Sequence, residues 1–253
     1  MRKIMVLQHV GHEPLGTLNP MLKAAGFRIR YVNFGRNPES APSLEGYRGL
    51  IVLGGPMGVY EANKYPHLKT EIEMITDALK RNIPILGICL GSQLMAHALG
   101  AKVFKGPKPE MGWMEIQRTT AGAKDPLFSS YESTEKIFQL HQDTFDLPSG
   151  AVQLARSALY EGQAFRYGDK AYALQFHLEV DKPMIHRWLN IADNKKMLAE
   201  SQGLYTAEQI SSDTDVCIQR CLNLSQQTFA KFIEIFQLPE RPILLGSDHA
   251  KSK

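Results

Sequence analysis

At 253 residues the chain is long enough to bury a full hydrophobic core, as one large domain or as one domain with an accessory piece. Hydrophobic residues make up 43% and charged residues 22%, as in globular proteins, and the net charge of +3 provides no basic field for nucleic acid. No apolar run approaches the roughly 18 residues of a membrane span. Three cysteines without framework spacing argue against disulfides. We therefore expect a cytoplasmic protein that binds neither nucleic acid nor membrane.

The first hundred residues alternate between short apolar runs and helical periodicity. Four apolar runs are predicted strands, over residues 4–10, 28–34, 50–53 and 83–88. Helical spacing follows over residues 66–80 and 90–99. Uniformly apolar strands separated by helices indicate a parallel sheet with helices on both faces. The fold prediction is a flavodoxin-like α/β fold with a mostly parallel central sheet.

The middle of the chain has a different pattern. Its strand-like runs are short and are interrupted by Gly, Pro and Asp, at residues 102–105, 113–118, 136–140, 152–156 and 171–176. Tyr167-Gly-Asp-Lys170 is a good hairpin turn between two strands. This pattern predicts an antiparallel extension of the same sheet.

The pattern becomes helical after Pro183. Residues 214–237 place apolar side chains on one predicted helical face, namely Val216, Cys217, Cys221, Leu224, Phe229, Phe232, Ile233 and Phe236. Cys217 and Cys221 fit this core-facing stripe better than a metal or redox site. We predict a domain over residues 1–190, a helical extension over 191–238 that packs on the same domain, and a loosely ordered tail over 239–253.

The segment Gly87-Ile-Cys89-Leu-Gly91 follows an apolar run and opens a predicted helix. This is the layout of a nucleophile elbow, in which flanking glycines leave room for a strained strand-to-helix turn. The helix N-terminus favours a thiolate at Cys89, and the N–H of Leu90 can face an oxyanion. The alternative is a small buried cysteine in a tight turn.

His177 closes another apolar run, and Glu179 lies two residues later. A carboxylate so placed can orient the imidazole and stabilise its protonated form, as the third member of a catalytic triad does. By itself the pair could be a core histidine satisfied by a local acid. The order Cys89, His177, Glu179 is more specific than either half.

A glycine-rich turn, Gly54-Gly55-Pro56-Met57-Gly58, ends a neighbouring predicted strand. It can be a simple strand-ending turn, or it can allow a ligand to approach so that the N–H of Gly55 becomes a second oxyanion donor. His9, His12 and Glu13 lie near another strand end without a convincing cluster of ligands. We therefore predict no metal site.

Three motifs in this order resemble class I glutamine amidotransferases of the triad type: Gly54-Gly-Pro56, Gly87-Ile-Cys-Leu-Gly-Ser-Gln93 and Gln175-Phe-His-Leu-Glu179. The resemblance covers residues 1–190, and further segments resemble stand-alone members similar to the amidotransferase domain of GMP synthase. It implies attack by Cys89 on a glutamine amide, with proton transfer by His177. Gly55 and Leu90 would hold the oxyanion. The implied substrate-binding residues are Gly54, Gln93, His141, Gln142 and Asp143, with the last three in a loop, and no cofactor is implied.

Three positions depart from the family pattern. Ser92 stands where many members carry His, which is not damaging to the chemistry. Leu178 replaces the usual Pro between base and acid, and we expect it to loosen the backbone there. Gln142 stands where relatives often have Gly, and we expect its side chain to narrow the pocket.

Three functions follow as hypotheses. The first is a stand-alone amidohydrolase acting on glutamine or another γ-glutamyl amide. The second is a glutaminase subunit that delivers ammonia to a separate synthetase, because no nucleotide-binding loop of a synthetase is visible in the sequence. The third is a non-catalytic binding protein on the same fold.

Overall fold

The computed structural model describes residues 2–201 and 203–237. One central sheet contains every strand named here: β1 (Lys3–Gln8), β2 (Arg28–Asn33), β3 (Gly49–Val52), β4 (Ile85–Ile88), β5 (Val103–Arg118), β6 (Thr134–Phe145), β7 (Val152–Ser157), β8 (Ala164–Tyr167) and β9 (Ala171–Leu174). The strand order across the sheet is β2-β1-β3-β4-β9-β8-β7-β5-β6.

The sheet has a parallel half and an antiparallel half. Strands β2, β1, β3, β4 and β9 pair in parallel, in the order of flavodoxin-like doubly wound sheets. Strands β9, β8, β7, β5 and β6 pair antiparallel. The predicted α/β fold with an antiparallel extension is confirmed. In open sheets of this kind, ligands bind at the carboxyl ends of the parallel strands.

Seven α-helices of the described residues surround the sheet: α1 (Leu18–Ala24), α2 (His67–Lys80), α3 (Leu90–Ala98), α4 (Thr120–Lys124), α5 (Lys182–Trp188), α6 (Ala192–Glu200) and α7 (Ala207–Gln237). Short 3-10 turns occupy Val59–Glu61 and Pro126–Phe128. Because side chains alternate along a strand, β1 sends Ile4 and Val6 into the core under α1 and α7. Its Met5 and Leu7 enter the core under α2 and α3.

The structure corrects two boundaries in the antiparallel half. The runs at 102–105 and 113–118 are one strand, β5, whose pairing with β6 shifts register between Lys105 and Glu110. Pro107 and Pro109 lie in that interval, and prolines are tolerated at such irregularities because no ladder hydrogen bond is needed there. The predicted loop at residues 141–143 is wrong, since these residues belong to β6.

Helix α7 lies against the sheet along most of its length. Trp113 Nε1 donates to Thr214 Oγ1 over 2.9 Å, and a Cβ on Gly49 would lie 2.1 Å from the ring of Phe236. Val216 is 79% exposed, so its predicted place on the buried face is wrong. It directly precedes Cys217, and because consecutive helical residues point about 100° apart, Val216 faces away from the buried residues of α7. The division at residue 190 stays a proposal, and the predicted tail 239–253 lies outside the described residues.

No helix within residues 2–201 and 203–237 combines the length and apolar character that crossing a bilayer requires.

Candidate active site

Cys89 occupies a strained turn between β4 and α3. Its backbone has φ 51° and ψ −110°, a conformation that non-glycine residues rarely adopt. The flanking glycines are needed for space, because a Cβ on Gly91 would lie 2.0 Å from the Val52 carbonyl oxygen. A Cβ on Gly87 would lie 2.5 Å from the carbonyl oxygen of Gly91. The geometry is that of an elbow that presents the Cys89 thiol beyond the end of the sheet.

His177 and Glu179 form a buried pair next to this elbow. His177 Nδ1 lies 2.7 Å from Glu179 Oε1, and the backbone N–H of His177 donates to the Phe138 carbonyl over 2.9 Å. The Trp188 ring packs edge-on against the imidazole at a centroid distance of 4.8 Å. Leu178 is fully buried, so it is anchored in the core and the base and acid remain in contact.

The electrostatics couple His177 to Cys89. Burial by itself would lower the pKa of His177, but Glu179 and the hydrogen-bonding contact with Cys89 outweigh it and hold the pKa well above its ordinary value. Burial raises the pKa of the Cys89 thiol, and His177 opposes that rise. A proton leaving the thiol therefore has an acceptor at His177.

The two residues expected to donate to an oxyanion, Leu90 and Gly55, lie close to each other. Leu90 is the first residue of α3, where N–H groups have no partner within the helix. Gly55 follows β3, and a Cβ there would lie 2.9 Å from His9 Cβ and 3.0 Å from Leu90 Cδ2. The second glycine of this turn, Gly54, likewise contacts Glu13, since a Cβ on Gly54 would lie 2.1 Å from Glu13 Oε2. Gly54 itself is buried, and of these two glycines Gly55 is the one that lines the cleft.

A cleft of about 500 Å³ opens over the thiol. Cys89 and His177 form its base, and the turn at Gly55 forms one side. Residues before and within α6 form another part of the wall, namely Ile191, Asp193, Asn194 and Met197. The cleft thus combines the carboxyl ends of parallel strands with a segment from the C-terminal part of the chain.

The expected substrate-binding residues reach the cleft in different ways. Gln93 Nε2 donates to Gln175 Oε1 over 3.1 Å and to the Asp143 carbonyl over 3.2 Å. The His141 imidazole is buried, with Nε2 3.0 Å from Glu110 Oε2. Gln142 Nε2 donates to the Gly106 carbonyl over 3.2 Å. Both His141 and Gln142 therefore border the cleft, and each side chain is held by a residue of β5.

The family described as class I glutamine amidotransferase matches residues 17–187. The chain belongs to the class I glutamine amidotransferase family. Members of this family act on the amide of glutamine, which places the chain among amidohydrolases and amidotransferases.

Relatives of this amidotransferase-family chain include stand-alone proteins and parts of larger enzymes. It is 30% identical over 205 residues to the glutamine amidotransferase-like protein YfeJ of Salmonella typhimurium, covering 79% of this chain and 85% of the relative. It is 39% identical over 135 residues to a glutamine-hydrolysing GMP synthase of Treponema denticola, covering 53% of this chain but only 24% of that enzyme. A crystal structure of a glutamine amidotransferase from Thermotoga maritima matches with a TM-score of 0.82 and 31% identity, over 94% of this chain and 99% of the other.

The resemblance to the family places the loop that contains His9, His12 and Glu13 near the rim of the pocket, but sequence reasoning missed the partner of His9. His9 is fully buried and contacts Gly54 and Glu71, whereas Glu13 and His12 line the cleft. His9 and Glu71 are 62 positions apart, so no local spacing connects them. Among the described residues no group of three or more His, Cys, Asp or Glu side chains could hold a metal ion.

Proposed function

We propose that this chain is a cysteine-dependent amidohydrolase that cleaves glutamine or another γ-glutamyl amide through a γ-glutamyl thioester. The observation that carries this proposal is the position of Cys89 on a strained elbow within reach of the buried His177–Glu179 pair. A purely structural cysteine has no need of a backbone at φ 51° beside a base whose pKa is raised.

The first half-reaction forms the thioester. The Cys89 thiol gives its proton to His177 and its sulfur attacks the amide carbon, and the carbonyl oxygen becomes an oxyanion. The N–H groups of Gly55 and Leu90 stabilise that oxyanion. His177 then donates its proton to the amide nitrogen, the C–N bond breaks, and ammonia or an amine leaves.

The second half-reaction restores the enzyme. His177 accepts a proton from water, and the resulting hydroxide equivalent attacks the thioester carbon, again with Gly55 and Leu90 facing the oxyanion. The C–S bond breaks, the glutamate product leaves, and the proton on His177 returns to the sulfur of Cys89. Glu179 holds the imidazole orientation through both halves and stabilises its protonated form.

Gln93 is proposed to bind the amino-acid end of the substrate, together with the backbone around Asp143 and Gly54. This assignment is supported by the location of Gln93 in the cleft, where its amide is already held by Gln175 and the Asp143 carbonyl. His141 and Gln142 would shape that end of the cleft. All three cysteines are free, which suits a cytoplasmic protein in a reducing compartment.

A second candidate keeps the chemistry and adds a partner. The chain would be the glutaminase subunit of a two-chain amidotransferase that passes ammonia to a synthetase. The similarity to about a quarter of a GMP synthase favours it, since the rest of that enzyme has no counterpart in this chain. Activity alone would then be low until the partner docks.

A substrate screen separates these candidates. The purified protein is given a panel of γ-glutamyl amides, and release of glutamate and of ammonia or amine is followed with and without cell lysate. Turnover by the protein alone supports the amidohydrolase, and turnover only with lysate supports the subunit. No turnover in either arm, together with failure of a diazo-ketone glutamine analogue to label Cys89, would leave only a non-catalytic binding protein.

A further inference from the structure

A chain of three buried titratable side chains lies directly beneath the glycine turn, and none of them takes part in the proposed thioester chemistry. His9 Nδ1 lies 2.8 Å from the Gly54 carbonyl oxygen, and His9 Nε2 lies 2.8 Å from Glu71 Oε2. The other oxygen of that carboxylate, Glu71 Oε1, lies 2.8 Å from His67 Nδ1. All three side chains are buried, and the Phe34 ring stacks on His67 at a centroid distance of 5.0 Å. The chain connects the end of β1 to the end of β3 and to α2.

The bond to Gly54 determines where the N–H of Gly55 points. The Gly54 carbonyl and the Gly55 N–H belong to one planar peptide unit, and in a trans peptide they point in opposite directions. A donor that fixes the Gly54 carbonyl on one side of the turn therefore holds the Gly55 N–H on the opposite side, and Gly55 is a residue that lines the cleft. His9 Cβ also packs against the Cα of Gly55, at the position where a side chain would project.

The hydrogen-bond partners also define the charge of His9. A carbonyl oxygen can only accept, so Nδ1 must carry a proton. Burial would lower the pKa of His9, but Glu71 outweighs it and the pKa is raised, while the pKa of Glu71 is lowered by its histidine partners in spite of burial. The 2.8 Å contact of Nε2 with Glu71 also needs one proton between the two atoms, and both pKa directions favour that proton on His9. A charged donor on the carbonyl polarises the peptide and makes its N–H a stronger donor.

We propose that His9 is a positioning residue that locks the Gly54–Gly55 peptide with the Gly55 N–H turned into the cleft, and that Glu71 fixes His9 for this role. The inference rests on the proposed function, in which Gly55 is an oxyanion donor. It makes the oxyanion site dependent on a residue that touches neither the substrate nor Cys89.

Two substitutions at His9 separate its two hydrogen bonds. The amide nitrogen of His9→Asn takes the position of Nδ1, so this variant retains the donor to Gly54 but loses the bond to Glu71. The amide nitrogen of His9→Gln takes the position of Nε2, so that variant retains the bond to Glu71 but releases the peptide. His9→Asn leaves a buried carboxylate without its charged partner and should be the less stable protein. We therefore expect His9→Asn to be the more active but the less stable of the two variants.

The measurements are kcat and KM on the best γ-glutamyl amide, and the rate of Cys89 alkylation by iodoacetamide, read by peptide mass spectrometry. For His9→Gln we expect kcat to fall by about 10²- to 10³-fold, the range for loss of one oxyanion donor, with KM and the alkylation rate within about threefold of wild type. We expect kcat of His9→Asn to be at least about tenfold above that of His9→Gln. Should His9→Asn not fold, the contrast between kcat and alkylation in His9→Gln still tests the proposal.

A wild-type kcat in His9→Gln would overturn the inference and leave the proposed function intact. An equal loss of kcat in both variants, with slower alkylation of Cys89, would also overturn it, because His9 would then support only the packing of the site. Wild-type protein that neither turns over any amide nor is alkylated at Cys89 would instead refute the proposed function itself.

Discussion

His177 Nδ1 lies 2.7 Å from Oε1 of Glu179, and both side chains are almost completely excluded from solvent. The second carboxylate oxygen, Oε2, is buried without a hydrogen-bond partner among the described residues. The charge of Glu179 is thus directed mainly to the imidazole. Because Nδ1 is engaged by the carboxylate, the other ring nitrogen is left for Cys89.

Glu179→Gln should impair catalysis more than binding. A glutamine amide can donate to Nδ1 and stabilise the wrong tautomer, so we expect kcat to fall by roughly 10²- to 10⁴-fold with a small change in KM. The pKa of His177 should also fall, because the carboxylate that raises it is gone. Titration of the His177 ring proton by NMR in both proteins checks this, and an unchanged pKa would show that Glu179 does not act on the base.

Stability should respond to pH through the same pair. The pKa of His177 is higher in the folded protein than its unfolded value near 6.5. The contribution of His177 to the free energy of unfolding is therefore fully present below pH 6.5, and it is lost as the pH rises through the pKa of His177 in the folded protein. Urea unfolding from pH 6 to 9.5 should show a smaller loss of unfolding free energy in Glu179→Gln than in wild type. His9, whose pKa is also raised, titrates alike in both proteins. An equal loss of unfolding free energy in the two proteins would contradict the assignment of this pH dependence to the His177–Glu179 pair.

Gly91→Ala should disrupt the elbow. The new Cβ would lie 2.0 Å from the Val52 carbonyl oxygen, a backbone atom that cannot move away cheaply. We expect about 3 kcal/mol or more of lost stability by urea unfolding, with little Cys89 alkylation. The matched control is Gly11→Ala, where a Cβ meets no atom within 4 Å, and its unfolding free energy should change by about 0.5 kcal/mol or less. Similar values for both variants would refute the steric account.

Phe236→Ala tests whether α7 and the sheet unfold as one unit. The ring is 1% exposed and packs over Gly49 at the start of β3. We expect a loss of about 3 to 5 kcal/mol and a single unfolding transition when fluorescence and circular dichroism are compared. Val216→Ala, at a position that is 79% exposed, is the control and should change stability by about 0.5 kcal/mol or less. Two separate transitions would show that the helical extension is an independent unit.

Local sequence was sufficient for the first four strands of the parallel sheet and for the elbow, but β9, which was expected in the antiparallel extension, also pairs in parallel with β4. Strands β3 and β4 and the interior of β1 are uniformly apolar because both faces are covered, and that pattern is visible in a single run of residues. Cys89 was predictable for a similar reason, since its two glycines are needed within two residues of it. Each of these features is determined by neighbours in the chain.

Features that depend on distant residues could not be predicted. The contact of His9 with Glu71 spans 62 positions, and that of His141 with Glu110 spans 31. The wall of the cleft at Asp193 depends on how the chain after α5 folds back over the sheet. Val216 was different, because the helical period alone excludes it: it and Cys217 are consecutive and cannot share one face of α7.

The most direct test of the proposed mechanism is turnover by Cys89→Ala. The variant removes the sulfur, and because alanine is smaller than cysteine it introduces no steric clash. Circular dichroism and urea unfolding check that the variant is folded. On the substrate that wild type cleaves best, we expect kcat to fall by about 10⁴-fold or more, and intact mass spectrometry of wild type to detect a γ-glutamyl adduct on Cys89 that the variant lacks. Turnover by Cys89→Ala at a rate near that of wild type would contradict nucleophilic catalysis by Cys89.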